Sequence, residues 1–141
     1  MLELLAPAGN LDAVIAAVQN GADAVYMGFG DGFNARRSAD NFTRESFAKA
    51  VRYCHIRGCK VYVTLNTLVG DREMEAAAAL AQQASDAGAD AILVQDLGLA
   101  RVLRDALPDI PLHASTQMSI HNLAGVEAAA EMGITRAVLS R

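Results

Sequence analysis

Short apolar runs alternate along this chain with longer segments whose apolar residues recur every three or four positions. Apolar runs of this length, bounded by Gly, Pro and Asn, are typical of buried strands, and the longer spacing is typical of amphipathic helices. The pattern predicts six strands, over Leu2–Ala6, Ala24–Gly28, Lys60–Asn66, Ala91–Gln95, Leu112–Gln117 and Arg136–Ser140.

The intervening segments predict five helices, each with a local start or stop signal. Asn10, Thr43, Asp71 and Asn122 occupy positions suited to N-caps, because their side chains can accept a hydrogen bond from the first turn. Glycines follow the first, second, third and fifth helices, at Gly21, Gly58, Gly88 and Gly133. Strict alternation of strand and helix predicts a parallel sheet with right-handed crossovers.

Two α/β architectures fit this alternation: a doubly wound parallel sheet and a partial (β/α)8 barrel of the TIM type. A complete barrel typically needs about 250 residues, and this chain has 141 and ends on a predicted strand. We therefore favour residues 1–141 as the N-terminal part of a barrel, truncated before the barrel closes. Its first and sixth strands would be open edges, so we expect the chain to self-associate.

Composition limits the class of protein and its expected cellular location. The chain is 52% hydrophobic and lacks Trp, which predicts a globular domain. Its net charge of −4 indicates that the surface as a whole does not bind nucleic acid. It shows neither a signal peptide nor an apolar stretch of about 20 residues, so no membrane association is expected. Cys54 and Cys59 lack CxxC spacing, and a reducing cytoplasmic location is expected.

The fifth predicted strand carries the most unusual polar pattern. Alternation places His113, Ser115 and Gln117 on one face, where an ordinary buried parallel strand would be apolar. A barrel lumen would accommodate them, with Gln117 near the mouth where ligands bind. We expect all three to converge on the third strand's Tyr62, Thr64 and Asn66. The alternative is a polar network satisfied internally.

Other candidates lie beside the predicted mouth. Asn66 and Asp96 follow the third and fourth strands, where catalytic groups of barrels collect, although Asp96 is equally suited to be a helix N-cap. The long loop from Phe29 to Phe42 carries Asn34, Arg36 and Arg37. Adjacent guanidinium groups suit phosphate contacts, but such a pair is also common on a solvated surface.

Several motifs together resemble the N-terminal region of the peptidase U32 family. They are Glu3 to Asn10 (ELLAPAGN), Gly21 to Tyr26 (GADAVY), Phe33 to Arg37 (FNARR), Val61 to Thr67 (VYVTLNT) and Leu112 to Gln117 (LHASTQ). The combination of Gln95 to Gly98 (QDLG) with LHASTQ is most similar to the ribosomal-RNA hydroxylation branch.

The resemblance implies an enzyme that hydroxylates a pyrimidine in rRNA or tRNA. The alternatives are a collagenase-like peptidase acting on peptides, as the family name suggests, or a non-catalytic scaffold. No GxSxG, HExxH or Cys/His signature identifies a hydrolytic nucleophile. We predict His113, Gln117, Asp96 and Asn66 as catalytic and Asn34, Arg36, Arg37 and Ser115 as substrate-binding residues, with no metal site. An iron–sulfur cluster would need cysteines beyond residue 141, so we expect the isolated chain to be inactive.

Overall fold

The computed structural model describes residues 2–35 and 41–141. The described residues form six strands and five α-helices in strict alternation. The elements are β1 (Leu5–Pro7), α1 (Leu11–Gln19), β2 (Ala24–Met27), α2 (Arg44–Ile56), β3 (Lys60–Leu65), α3 (Met74–Asp86), β4 (Ala91–Val94), α4 (Leu97–Ala106), β5 (Leu112–Ala114), α5 (Leu123–Glu131) and β6 (Ile134–Ala137). Short 3-10 helices cover Asp71–Glu73 and Thr116–Met118. None of the helices described is long and apolar enough to cross a membrane.

All six strands are parallel and pair in chain order, from β1 at one edge to β6 at the other. A doubly wound sheet reverses its strand order at a switch point. No reversal occurs among these strands, so the doubly wound alternative is wrong. The sequential order is that of a partial (β/α)8 barrel.

The helices cover a single face of the sheet. On β3, Val61, Val63 and Leu65 pack into the clusters formed with the helices, while Tyr62 joins a small cluster on the opposite face. That opposite face also holds Leu93 of β4. It is the concave face, which a complete barrel would enclose as its lumen.

Helix capping follows the sequence at three of the four predicted positions. Asn10, Thr43 and Asn122 each accept a hydrogen bond from the first turn of their helix. Asp71 does not cap α3 but begins a 3-10 turn. The Glu73 carboxylate accepts a hydrogen bond from the Gly70 amide at 3.0 Å, which closes that tight turn before α3 begins.

The two edge strands differ most from their predicted bounds. β1 begins at Leu5 because the Leu4 amide donates instead to the Asp23 carboxylate, at 2.7 Å. β6 covers Ile134–Ala137 and not Arg136–Ser140, since its partner β5 ends at Ala114.

Candidate functional site

The N-terminal end of the concave face, which we call the base, is a closed polar cluster of Glu3, Tyr62 and Arg136. The Tyr62 hydroxyl donates to the two Glu3 carboxylate oxygens at 2.9 and 3.0 Å, and Arg136 donates to the same carboxylate. Glu3 precedes β1 and Arg136 lies on β6, so the ion pair links the two edges of the sheet across its concave face.

Each group at the base has a partner that fixes its protonation state. The hydrogen bond from Arg136 lowers the pKa of the Glu3 carboxyl, and the same contact raises the pKa of Arg136. Burial raises the pKa of the Tyr62 phenol, and the hydrogen bond to Glu3 adds to this effect. At neutral pH the cluster is therefore a carboxylate, a guanidinium and a neutral phenol.

His113 lies against this cluster. Its ring meets the Tyr62 ring edge to face, with centroids 4.9 Å apart, while its neighbours Leu112 and Ala114 pack toward the helices. Burial, together with the positive charge of Arg136, lowers the pKa of His113 to about 4. The imidazole is thus neutral at neutral pH, and its predicted orientation toward the third strand is confirmed.

Asn66 links two segments at the C-terminal end of the strands, which we call the mouth. Its side-chain amide donates to the Ser115 hydroxyl at 3.1 Å, and its side-chain oxygen accepts from the Ala35 backbone at 3.1 Å. Asn66 follows β3 directly, so one carboxamide joins the end of β5 to the loop after β2. The predicted approach of Ser115 to Asn66 is confirmed.

Gln117 is not part of the fifth strand, although the alternation of side chains predicted a strand over Leu112–Gln117. The Ser115 hydroxyl accepts from the Gln117 backbone amide at 3.3 Å, and this local bond starts the 3-10 helix Thr116–Met118. Such a bond competes with the strand ladder. The three polar residues therefore do not share one strand face: Ser115 is buried, whereas Gln117 is exposed at the mouth.

A cavity of about 240 Å³ lies at the mouth. Asn66, Ser115 and Gln117 line it together with Thr64 and Tyr26. The remaining lining residues are Leu5, Ala35, Leu93, Thr116 and Val138. Neither His113 nor Asp96 lines the cavity, and their catalytic assignment stays a prediction.

The loop after β2 forms one rim of the mouth. Asn34 donates to the Asn41 side chain at 3.0 Å, and Asn41 donates to the Gly30 carbonyl at 2.8 Å. These side chains cross Gly28 so closely that a Cβ there would lie 2.1 Å from the Asn41 oxygen. A second cavity, of about 80 Å³, lies beside them. Arg36 and Arg37 lie outside the described residues.

Asp96 is the N-cap of α4. One carboxylate oxygen accepts from the Leu99 amide at 2.8 Å, and the other accepts from the Val69 amide at 3.3 Å. Both oxygens therefore hold backbone groups. This geometry confirms the capping interpretation that the sequence left open.

The two cysteines do not fit an iron–sulfur cluster. Cys54 and Cys59 are free thiols packed in the helix-side core, and burial raises the pKa of Cys54 to about 12. A cluster is held by thiolates, which this environment disfavours. Within the described residues, no group of three or more His, Cys, Asp or Glu side chains is arranged to hold a metal ion.

Tyr26 lines the mouth but is not among the site residues that the sequence predicts. Its signal was present, since Tyr26 lies between Val25 and Met27, which face the helix-side core. The same alternation that selected His113 places the Tyr26 ring on the concave face. Asn41 gave no comparable signal, because its role depends on contacts within an irregular loop.

Comparison with known proteins identifies relatives of this chain. The chain is 41% identical over 140 residues to a 23S rRNA 5-hydroxycytidine C2501 synthase of Escherichia coli, and the match covers 99% of this chain and 21% of that protein. It is 39% identical over 139 residues to tRNA hydroxylation protein P1 of Bacillus subtilis, covering 99% and 33%. A protein named collagenase from Porphyromonas gingivalis is 35% identical over 121 residues, covering 85% and 28%.

The chain thus spans between about a fifth and a third of the length of these relatives. Among solved structures, that of the U32 peptidase Mk0906 superposes with a TM-score of 0.77 at 15% identity, covering 99% of this chain and 58% of that one. The sequence profile of peptidase family U32 matches residues 9–141. The chain belongs to peptidase family U32.

Proposed function

We propose that this chain is the N-terminal barrel portion of an enzyme that hydroxylates a pyrimidine base in rRNA or tRNA. The observation that carries the proposal is the 41% and 39% identity, over 99% of the chain in both cases, to proteins named for rRNA and tRNA hydroxylation. Because those relatives are named for rRNA and tRNA, we place the reaction in the cytoplasm.

In this proposal the mouth receives the substrate. Asn66 holds the end of β5 and the loop after β2 in fixed relation, and Ser115 is held by Asn66. Asn34 contributes to the rim through Asn41, and Arg36 and Arg37 follow it in the chain, where they would contact RNA phosphates. His113 lies under the mouth as a neutral group that supports Tyr62.

The family description and the collagenase-named relative favour a second candidate, a peptidase. The described residues give it little chemical support. A hydrolytic Ser or Cys needs an adjacent base. The Ser115 hydroxyl instead bonds Asn66 and the Gln117 amide, His113 packs on Tyr62, and the buried Cys54 thiol has a pKa near 12.

Nucleoside mass spectrometry distinguishes these two functions. Deleting the gene that contains this sequence should remove a hydroxylated pyrimidine from rRNA or tRNA, and reintroducing the gene should restore it. Unchanged nucleosides in the deletion strain, accompanied by loss of a peptide-cleaving activity, would replace the hydroxylase proposal with the peptidase.

We also propose that this chain, as an isolated domain, self-associates at its edges. Within the described residues, β1 and β6 each pair with one strand only, and Leu2, Leu4 and Leu139 beside them are 96%, 56% and 56% exposed. Unpaired edges with exposed apolar side chains favour pairing with another chain. Light scattering should give a mass above 14.8 kDa; a monomer at high concentration would refute self-association.

A further inference from the structure

The cavity at the mouth has walls suited to a flat ring. Tyr26 and Leu93 project into it from the concave face, and Leu5 and Val138 lie at its two sides. Aromatic and aliphatic walls with a few polar groups are typical of sites for small organic ligands. Flipped nucleobases bind between such side chains.

Three of the six polar side chains that line this cavity, those of Thr64, Asn66 and Ser115, are hydrogen-bonded to other residues. The Thr64 hydroxyl donates to the Met27 carbonyl at 3.2 Å, and both ends of the Asn66 carboxamide are hydrogen-bonded. The side chains of Tyr26, Thr116 and Gln117 make no hydrogen bond with any other residue that the structure describes, and of these three only Gln117 carries a donor and an acceptor on separate atoms. Its carboxamide is therefore available to a ligand in the cavity.

A carboxamide suits the edge of a nucleobase. It offers an acceptor oxygen beside a donor NH2 group, and rotation by half a turn exchanges the two. Cytosine presents an amino donor beside a ring-nitrogen acceptor, and uracil presents the reverse order. Gln117 can therefore form two hydrogen bonds with either pyrimidine.

The cavity is small for a site that binds organic ligands. Its volume of about 240 Å³ lies below the range of about 300–1,000 Å³ that is usual for drug-sized ligands. A single base can enter if it leaves its stack, as bases do in enzymes that modify them.

We propose that this cavity binds one pyrimidine base extruded from RNA, and that the Gln117 carboxamide pairs with the Watson–Crick edge of that base. The inference rests on the proposed function and adds the recognition step. It assigns Gln117 to binding of the base edge, with Tyr26 as the wall against which the ring packs. The buried cluster of Glu3, Tyr62 and Arg136, at the other end of the concave face, supports the cavity without contacting the ligand.

Binding of free nucleotides to the 141-residue chain tests this assignment. Saturation-transfer NMR titrations with CMP, UMP, AMP and GMP should detect both pyrimidine nucleotides and give them lower dissociation constants than the purines. Gln117→Ala should raise the constants for CMP and UMP by about 5- to 150-fold, because a bidentate contact to a base edge contributes about 1–3 kcal/mol. Gln117→Glu keeps the size but loses the NH2 donor, and it should also weaken binding.

Gln82→Ala is the matched control, since Gln82 is an exposed glutamine on α3 whose side chain donates to Asp86. It should leave the dissociation constants unchanged. Equal affinity for purines and pyrimidines, or full affinity in Gln117→Ala, would overturn the assignment. Absence of nucleotide binding would also overturn it, yet loss of a hydroxylated nucleoside in the deletion strain would still support the proposed function.

Discussion

The base and the mouth of the concave face are both polar, but their side chains differ in what they bind. At the base, Glu3, Tyr62 and Arg136 bond one another and His113 packs on their ring system. At the mouth, Asn66 holds its neighbours while the Gln117 carboxamide faces a cavity.

This difference shows that polarity on a buried strand is not itself evidence of a binding site. His113 and Ser115 are 6% and 3% exposed, and each has its contacts within the fold. A group available to a ligand is one that the surrounding elements leave without a partner. The following substitutions test whether the base is structural and the mouth is open.

Replacing Tyr62 should cause the largest loss of stability. Tyr62 is 2% exposed at the centre of the base, and truncation of a buried aromatic ring typically costs about 3–5 kcal/mol. Tyr62→Ala should lower the free energy of unfolding by that amount in urea titrations. Tyr62→Phe, which removes only the hydrogen bonds of the phenol with Glu3 and Arg136, should cost about 1 kcal/mol. A Tyr62→Ala variant as stable as the native chain would show that the cluster at the base does not stabilise the fold.

Acidification should destabilise the fold through His113. Its pKa is about 4 in the folded chain against an ordinary 6.5, so the unfolded chain binds the proton more tightly. Stability should be complete above pH 6.5 and should fall by about 3 kcal/mol as the pH drops toward 4. Below that range, protonation of Glu3 would add to the loss.

His113→Phe should remove this pH dependence between 6.5 and 4, because no proton can then bind at the site. The denaturation midpoint, measured by circular dichroism at several pH values, provides the comparison. His121→Gln, an exposed control, should keep the native slope. A native slope in His113→Phe would assign the pH dependence to another group.

Asn66 should have an intermediate effect. Asn66→Ala removes two hydrogen bonds at a half-buried position and should cost about 1–2 kcal/mol. Asn66→Asp retains the acceptor for the Ala35 amide and loses the donor to Ser115. Hydrogen exchange at Ala35 should therefore accelerate in Asn66→Ala and stay slow in Asn66→Asp. Equal exchange rates in the two variants would show that Asn66 does not hold the loop.

Gly28 allows a smaller test of the rim. A Cβ at Gly28 would lie 2.4 Å from the Asn34 side-chain nitrogen, whereas an added Cβ at Gly9 would have no atom of another described residue within 4 Å. Gly28→Ala should displace the Asn34–Asn41 pair at a cost of about 1 kcal/mol, and Gly9→Ala should not. Side-chain amide NMR signals of Asn41 report the displacement, and unchanged signals in Gly28→Ala would contradict the close approach.

The sequence predicted the fold better than the site. The spacing of apolar residues and the helix-capping residues were enough to predict the alternation of strands and helices. Capping is local, because Asn10, Thr43 and Asn122 each bond a backbone amide in the first turn of their own helix. The same local logic failed at Ser115, whose hydroxyl captures the Gln117 amide and ends the strand. Arg136 and Glu3 are 133 positions apart, so only the curvature of the sheet brings them together.

The most direct test of the account is an NMR titration of the isotopically labelled chain with a short single-stranded RNA of cytidines and uridines. We predict shifts of the Gln117 side-chain NH2 signals and of the Asn66 and Tyr26 backbone amides, which border the cavity. The backbone amides of Tyr62 and Arg136 should stay unchanged. Shifts centred on Tyr62 and Arg136, with none at Gln117, would contradict the division between a closed base and an open mouth.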